Sequence, residues 1–210
     1  MAARVVIADD HSIVRKGLRQ IMAETNEFVL AGEAATADEL LSLLRKEPFD
    51  AVVLDLALGA RNGLDVLKHI KSEFPRLPVL ILSMHDARLY AVRSLRAGAS
   101  AYIQKEEASE VLVRALRRVL AGGTYISDSV VDVMAAELWS GAPELLPHER
   151  LSDRELEVFR MLGMGQSVTQ IAQTLNLSVK TVSTHRTRIR EKTGLADNAE
   201  IVRYVTAHHL

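Results

Sequence analysis

The chain of 210 residues contains no cysteine, and its aromatic residues amount to only 4%. The absence of cysteine excludes a disulfide framework and a thiolate metal site. No stretch reaches the roughly 18 to 20 uninterrupted apolar residues of a transmembrane helix, so we expect no membrane association. The first residues lack the basic segment and cleavage site of a secretory signal. These absences together lead us to expect a cytoplasmic protein.

An excess of charge of either sign is also missing, since 27 acidic and 26 basic residues give a net charge of −1. The basic residues are nevertheless concentrated near the C-terminus. Between Lys180 and Lys192, five basic residues stand against one acidic residue. Basic charge gathered on one helix is typical of proteins that bind nucleic acid.

The first 120 or so residues alternate short apolar runs with longer segments of helical periodicity. The apolar runs are 5–8, 28–31, 51–54, 79–82 and 101–103, and the helical segments are 13–25, 37–46, 63–74, 89–97 and 108–121. This pattern predicts an α/β domain, 1–122, in which a doubly wound, five-stranded parallel sheet carries helices on both faces.

The alternation stops after 122. Residues 123–146 contain a glycine-alanine-proline step and one weakly helical piece, 129–139, and are interpreted as a partly helical linker. The remaining residues, 147–210, predict a small all-α domain of four helices at 152–162, 167–175, 179–192 and 198–208.

Polar residues follow the apolar runs of the first domain. Asp9 and Asp10 follow the first run, Asp55 the third and Ser83 the fourth, and the fifth run leads to Lys105. In a doubly wound sheet these positions meet at the carboxyl edge, where ligands bind. Clustered carboxylates suit Mg²⁺, and a carboxylate can also act as a nucleophile that accepts a phosphoryl group. Lys105 and Ser83 would then contact the phosphoryl oxygens.

This order of residues resembles the flavodoxin-like receiver domain of two-component response regulators, over roughly 4–122. The resemblance implies that a sensor histidine kinase phosphorylates Asp55. It further implies that Asp10, Asp55 and the Ala57 backbone carbonyl bind Mg²⁺ directly, and that Asp9 contributes through water. Tyr102 would be the aromatic switch residue that reorients with Ser83.

Two positions depart from the receiver pattern: Gly59 replaces the usual proline, and Glu106 follows Lys105 where proline is common. Both change the local backbone and neither removes a chemical group from the pocket. Ala57 and His85 lie two residues beyond Asp55 and Ser83, on the route of a hydrolytic water. We therefore expect them to tune the lifetime of the phosphorylated state.

Three serines are predicted to cap helices in the second domain: Ser152, which forms a capping box with Glu155, and Ser167 and Ser178. The two helices that follow Ser167 and Ser178, joined by a tight turn, form a helix-turn-helix whose second helix enters the major groove. Its core face is expected to contain Val182, His185, Ile189 and Thr193, with His185 hydrogen-bonded. The residues expected to contact double-stranded DNA are Lys180, Thr181, Ser183, Thr184, Arg186, Thr187, Arg188 and Arg190.

Residues 147–210 resemble the LuxR-type helix-turn-helix of the NarL/FixJ response regulators, with the motif itself at about 168–187. Ser183 stands where many relatives have lysine, so base preference does not carry over. The whole resemblance implies a regulator in which phosphorylation shifts the receiver and promotes homodimerisation and promoter binding.

Two other functions remain open from the residues alone. An aspartyl-phosphate phosphatase or phosphotransferase would share the nucleophile, but Ala57 offers no second carboxylate for acid-base chemistry. A protein-interaction module would keep the fold, but its acidic pocket would no longer control the output. We expect no enzyme activity beyond self-phosphorylation from a phosphodonor and autodephosphorylation at Asp55.

Overall fold

The computed structural model describes residues 2–58, 61–84, 87–127, 130, 131, 146–208 and 210. The chain divides into two compact units, Met1–Ala136 and Glu137–Leu210, and each is described by itself. Among the described residues, none of the helices is a candidate for spanning a bilayer. The domain boundaries at 122 and 146 stay predictions. The predicted helical piece of the linker, 129–139, lies outside the described residues apart from 130 and 131.

The first unit contains one parallel sheet of six strands in the order β2-β1-β3-β6-β7-β8. Its strands are β1 (Ala3–Ala8), β2 (Phe28–Ala34), β3 (Ala51–Asp55), β6 (Val79–Ser83), β7 (Ala101–Gln104) and β8 (Tyr125–Ile126). A separate antiparallel pair is formed by β4 (Ala57–Leu58) and β5 (Arg61–Asn62). The predicted doubly wound parallel fold is confirmed.

The predicted count of five strands is wrong by one, because β8 pairs with Ala101 and Tyr102 at the edge of the sheet. This strand lies in the segment interpreted as linker. A run of two residues is too short to show the period-two alternation that identifies a strand, and both its residues are half-buried.

Five helices connect these strands: α1 (Ser12–Ala23), α2 (Ala37–Lys46), α3 (Gly63–Glu73), α4 (Ala87–Arg96) and α5 (Ala108–Leu120). Every residue of β3 and β6 is buried, as expected for central parallel strands covered on both faces. One of these faces packs against Leu18 and Met22 of α1 and against Leu112 and Leu116 of α5.

The start of α3 places a helix close to the end of β3. Asn62 caps the helix by accepting a hydrogen bond from Leu64 N. A Cβ atom on Gly63 would lie 2.5 Å from Leu56 Cα, so only glycine permits this approach. The first residue of α3 therefore lies against Leu56, directly after Asp55.

From residue 146 onward, the second unit contains a short 3-10 helix (Pro147–Arg150), followed by α6 (Asp153–Gly163), α7 (Val168–Thr174), α8 (Val179–Thr193) and α9 (Asn198–Ala207). The four predicted helices are confirmed to within two residues at each end. Ser152, Ser167 and Ser178 all accept the expected capping hydrogen bonds. Asn176, in the turn before α8, adopts a φ of 49°, a conformation that asparagine tolerates better than most residues.

Candidate functional site

The carboxyl edge of the sheet brings Asp9, Asp55 and Lys105 together. Asp9 follows β1, Asp55 ends β3, and Lys105 follows β7 at the start of a 3-10 helix (Lys105–Glu107). Lys105 Nζ lies 2.7 Å from Asp55 Oδ2 and 2.7 Å from Asp9 Oδ2. The contact with Asp55 is a hydrogen bond, whereas Asp9 Oδ2 forms an ion pair with Lys105 and has no hydrogen-bond partner in the described part of the chain. Both carboxylates are buried, with side chains 1% exposed.

Backbone amides position the same two carboxylates. Ala57 N donates to Asp55 Oδ1 at 3.0 Å, and His11 N donates to Asp9 Oδ1 at 2.8 Å. Each bond spans two residues, so each aspartate closes a small turn directly after its strand. These turns point both carboxylates toward Lys105.

Burial and the ion pairs act in opposite directions on the charges of this pocket. Burial raises the pKa of Asp55, and the hydrogen bond and charge of Lys105 only partly offset this. Burial also disfavours the Lys105 ammonium ion, but its hydrogen bond to Asp55 and its close ion pair with Asp9 outweigh this and raise the pKa of Lys105. Lys105 therefore stays charged at neutral pH beside a carboxylate that is costly to ionise.

Asp10 and His11 complete the acidic edge. One ligand atom from each of Asp9, Asp10, His11 and Asp55 can be chosen so that all lie within 4.8 Å of one another. A single cation can contact atoms this close, and the three carboxylates are the oxygen donors that Mg²⁺ prefers. His11 Nδ1 lies 2.6 Å from Asp10 Oδ1. Sequence reasoning missed His11, although its position directly after the aspartate pair was a usable signal.

Ser83 and Tyr102 are both fully buried. Ser83 follows Leu82, the register partner of Asp55, so it lies one residue further along the same sheet edge. Tyr102 pairs with Ile81 in the neighbouring strand. Ala57 is exposed in β4, while Gly59 and His85 lie outside the described residues.

Helix α8 presents one apolar face and one polar face. Val182 and Ile189 are fully buried, as predicted. Among the residues expected to contact DNA, Thr181, Ser183 and Arg186 are partly buried, and the exposed ones are Lys180, Thr184, Thr187, Arg188 and Arg190. The hydroxyls of Thr184 and Thr187 donate to helix carbonyls one turn earlier.

His185 is the core-facing histidine of α8 for which the sequence predicts a hydrogen bond. It is half-buried on the core side of α8, but its buried Nδ1 has no hydrogen-bond partner among the described residues. The predicted hydrogen bond is therefore not made by Nδ1, and for the imidazole as a whole it stays a prediction. Burial lowers the pKa of His185, which favours the neutral ring and reduces the cost of the unpaired nitrogen.

Two ion-paired side chains of α6 hold the helix-turn-helix. The Glu155 carboxylate, 4% exposed, lies 2.6 Å from Lys192 Nζ near the end of α8. Arg154 Nη2 donates at 3.1 Å to the carbonyl of Leu175, in the turn between α7 and α8. Polar contacts from α6 thus reach both the turn of the helix-turn-helix and the last part of α8.

Comparison with known families matches both units. Residues 5–117 match the response regulator receiver domain, and residues 149–205 match the bacterial regulatory proteins of the luxR family.

Two curated relatives match almost the whole chain. Transcriptional regulatory protein MctR of Rhizobium johnstonii is 32% identical over 206 residues, which cover 98% of this chain and 94% of the relative. Oxygen regulatory protein NreC of Staphylococcus aureus is 34% identical over 207 residues, which cover 96% and 95%.

A solved structure of RcsB from Salmonella enterica serovar Typhimurium, bound to promoter P1flhDC in the presence of phosphomimetic BeF3−, has a TM-score of 0.68. It is 28% identical and covers 99% of this chain and 100% of the RcsB chain. Two family matches and two relatives above 30% identity agree with the geometry of the acidic pocket and the capped helix-turn-helix. The chain belongs to the NarL/FixJ family of two-component response regulators, which join a receiver domain to a LuxR-type helix-turn-helix domain.

Proposed function

We propose that this chain is a transcription regulator whose binding to promoter DNA is controlled by phosphorylation of Asp55. The observation that carries the proposal is the buried Asp55 carboxylate paired with Lys105 in the same chain as the exposed basic face of α8. The RcsB complex with promoter DNA and a phosphomimetic supports the same pairing of switch and output. We also propose that the protein acts in the cytoplasm.

Asp55 is the proposed nucleophile. Its carboxylate oxygen attacks the phosphorus of a phosphohistidine on the sensor kinase, so that a new O–P bond forms as the P–N bond breaks. The electron pair of the broken bond stays on the donor imidazole, which takes up a proton. Lys105 pairs with the phosphoryl oxygens, and the Ser83 hydroxyl donates to one of them.

Mg²⁺ is the proposed cofactor, held by the carboxylates of Asp10 and Asp55, the Ala57 carbonyl and, through water, Asp9. When bound, it neutralises charge on the phosphoryl group during transfer. We also propose self-phosphorylation from small phosphodonors and autodephosphorylation, with Ala57 and His85 setting the rate of hydrolysis.

Control of DNA binding is proposed to run through the receiver. The added phosphoryl charge draws Ser83 toward Asp55, and Tyr102 reorients in response. This change favours a homodimer, whose two-fold symmetry matches paired half-sites in double-stranded DNA.

On that DNA, we assign Lys180, Ser183, Thr184, Thr187 and Arg188 to the groove, and we propose that Thr181 also contacts the DNA. Arg186 and Arg190 are assigned to the phosphates.

The proposal is tested by treating wild type and Asp55→Asn with a small phosphodonor and Mg²⁺, then selecting bound sequences from random genomic fragments. We expect intact-mass analysis to show one phosphoryl group on wild type and none on the variant. We also expect enrichment of specific fragments to increase only for treated wild type. Equal enrichment by both treated proteins would show that Asp55 does not control binding.

A further inference from the structure

The first residues of α1 provide a link between the acidic edge and strand β2. Arg15, in the first turns of α1, donates from Nη1 to the backbone carbonyl of Asp9 at 2.6 Å. The same guanidinium donates from Nε to Glu33 Oε2 at 3.3 Å. The side chains of Arg15 and Glu33 are only 18% and 25% exposed, so this contact is largely shielded from solvent.

Strand β2 contributes two contacts that fix the turn after β1, one from its main chain and one from a side chain. Its main chain acts through Ala34, whose carbonyl accepts a hydrogen bond from Asp9 N at 3.1 Å. The side chain is Glu33, whose carboxylate accepts a hydrogen bond from Arg15 and so orients Arg15 toward the Asp9 carbonyl. The amide and carbonyl of Asp9 are therefore both fixed by partners outside the turn.

The peptide that links Asp9 to Asp10 is planar, so holding its carbonyl oxygen also fixes the position of the Asp10 Cα atom. Asp10 needs such support because its side chain is 37% exposed and contacts the imidazole of His11, itself 61% exposed. An exposed contact of this kind positions a carboxylate weakly. The orientation of Asp10 thus depends mainly on its backbone.

We propose that Arg15 is a positioning residue for the divalent-cation site, holding the Asp9 carbonyl so that the Asp10 carboxylate faces the ion, with Glu33 orienting Arg15. This inference rests on the proposed function, which supplies the cation. Arg15 touches neither the ion nor the phosphoryl group; it acts as the outer-shell partners of metal ligands do.

Calorimetric titration of the full chain with Mg²⁺ at fixed ionic strength tests the role directly. We expect Arg15→Ala to weaken Mg²⁺ binding about tenfold, the lower end of outer-shell effects. Arg15→Lys should recover part of the loss, because one ammonium group can reach the carbonyl but cannot also donate to Glu33 in the fork geometry of arginine.

Arg19→Ala is the matched control. Arg19 lies on the same helix and also pairs with Glu33, but it is 61% exposed and its guanidinium bonds are to Glu33. Removing it deletes the same charge and should change Mg²⁺ affinity by less than about twofold. Equal losses in Arg15→Ala and Arg19→Ala, or no loss in either, would overturn the positioning role.

Phosphorylation kinetics separate positioning from a general structural defect. At saturating Mg²⁺ the phosphorylation rate of Arg15→Ala should return to that of wild type, since only the affinity for the ion is impaired. A rate that stays low at saturating Mg²⁺ contradicts the proposal. If Arg15→Ala does not fold, the same Mg²⁺ titration of Glu33→Gln tests the role. We expect this variant to lose less Mg²⁺ affinity than the tenfold expected for Arg15→Ala, and an affinity equal to that of wild type would overturn the positioning role.

The two proposals fail in different ways. Wild type that binds Mg²⁺ and is phosphorylated on Asp55, together with Arg15→Ala of unchanged affinity, refutes only the positioning role. Wild type that binds no Mg²⁺ refutes the proposed cation site and the role of Arg15 with it.

Discussion

Replacing Lys105 with methionine removes the cation from the acidic pocket while keeping an unbranched side chain of similar length. Lys105 Nζ is 2.7 Å from both the Asp9 and the Asp55 carboxylates, which are each 1% exposed. Breaking a buried ion pair by removing one partner costs about 3–5 kcal/mol. The lysine side chain is 9% exposed, and Asp55 can relieve the cost by protonation. We therefore expect a loss near the lower end, about 3 kcal/mol at neutral pH.

The pH dependence of this loss is its diagnostic feature. Burial already raises the pKa of Asp55, and a carboxyl whose pKa is higher in the folded state makes stability fall as the pH rises through that value. Without Lys105 the pKa of Asp55 should rise further. The difference in the free energy of unfolding between wild type and the variant should therefore be small in acid and should grow as the pH increases to neutral.

Urea denaturation of the full chain without Mg²⁺, followed by far-ultraviolet circular dichroism across this pH range, measures the difference. The double variant Lys105→Met/Asp55→Asn serves as control, because it removes one of the two unpaired charges and should regain part of the stability. If Lys105→Met matches wild type at neutral pH, or its deficit is the same in acid, the reasoning from buried charge is refuted.

Three further predictions concern the second unit. Glu155→Gln should cost about 1 kcal/mol by removing the pair with Lys192. Although burial opposes it, the hydrogen bonds of Lys192 and Ser152 lower the pKa of Glu155, so in urea melts the difference should disappear as the pH falls through that pKa. Gly163→Ala places a Cβ within 2.4 Å of the Val205 side chain and should cost about 2 kcal/mol in thermal melts. Arg190→Ala should weaken binding equally on all DNA sequences and reduce the salt dependence of log K by about one unit, whereas an unchanged slope in anisotropy titrations would remove Arg190 from the phosphate contacts.

Much of the fold follows from periodicity. The central strands are fully buried and therefore appear in the sequence as uninterrupted apolar runs, and serine caps mark the starts of three C-terminal helices. Strand β8 could not be predicted, because its two residues are a strand only by their pairing with β7, which lies more than twenty residues earlier in the chain. Strands β4 and β5 are also only two residues long, which is too short for a pattern in the sequence to reveal them.

The site was predictable only for residues at the carboxyl ends of the strands, because parallel strands bring those ends to the same edge of the sheet. Asp9 follows β1, Asp55 ends β3 and Lys105 follows β7, so the parallel topology brings all three to the carboxyl edge of the sheet. The bond from Arg15 to the Asp9 carbonyl involves a backbone oxygen, which no residue pattern reveals. The unpaired Nδ1 of His185 was equally hidden, because periodicity places a residue on a face but does not supply its hydrogen-bond partner.

The most direct test of the central claim is the ratio of DNA affinities with and without phosphorylation at Asp55. The same selected promoter fragment should be titrated with treated and untreated wild type and Asp55→Asn, at one salt concentration and one Mg²⁺ concentration. We predict that phosphodonor raises the affinity of wild type by about tenfold or more, within the usual range of coupling between sites, and leaves Asp55→Asn unchanged. An equal response of both proteins, or no response of phosphorylated wild type, would contradict the account.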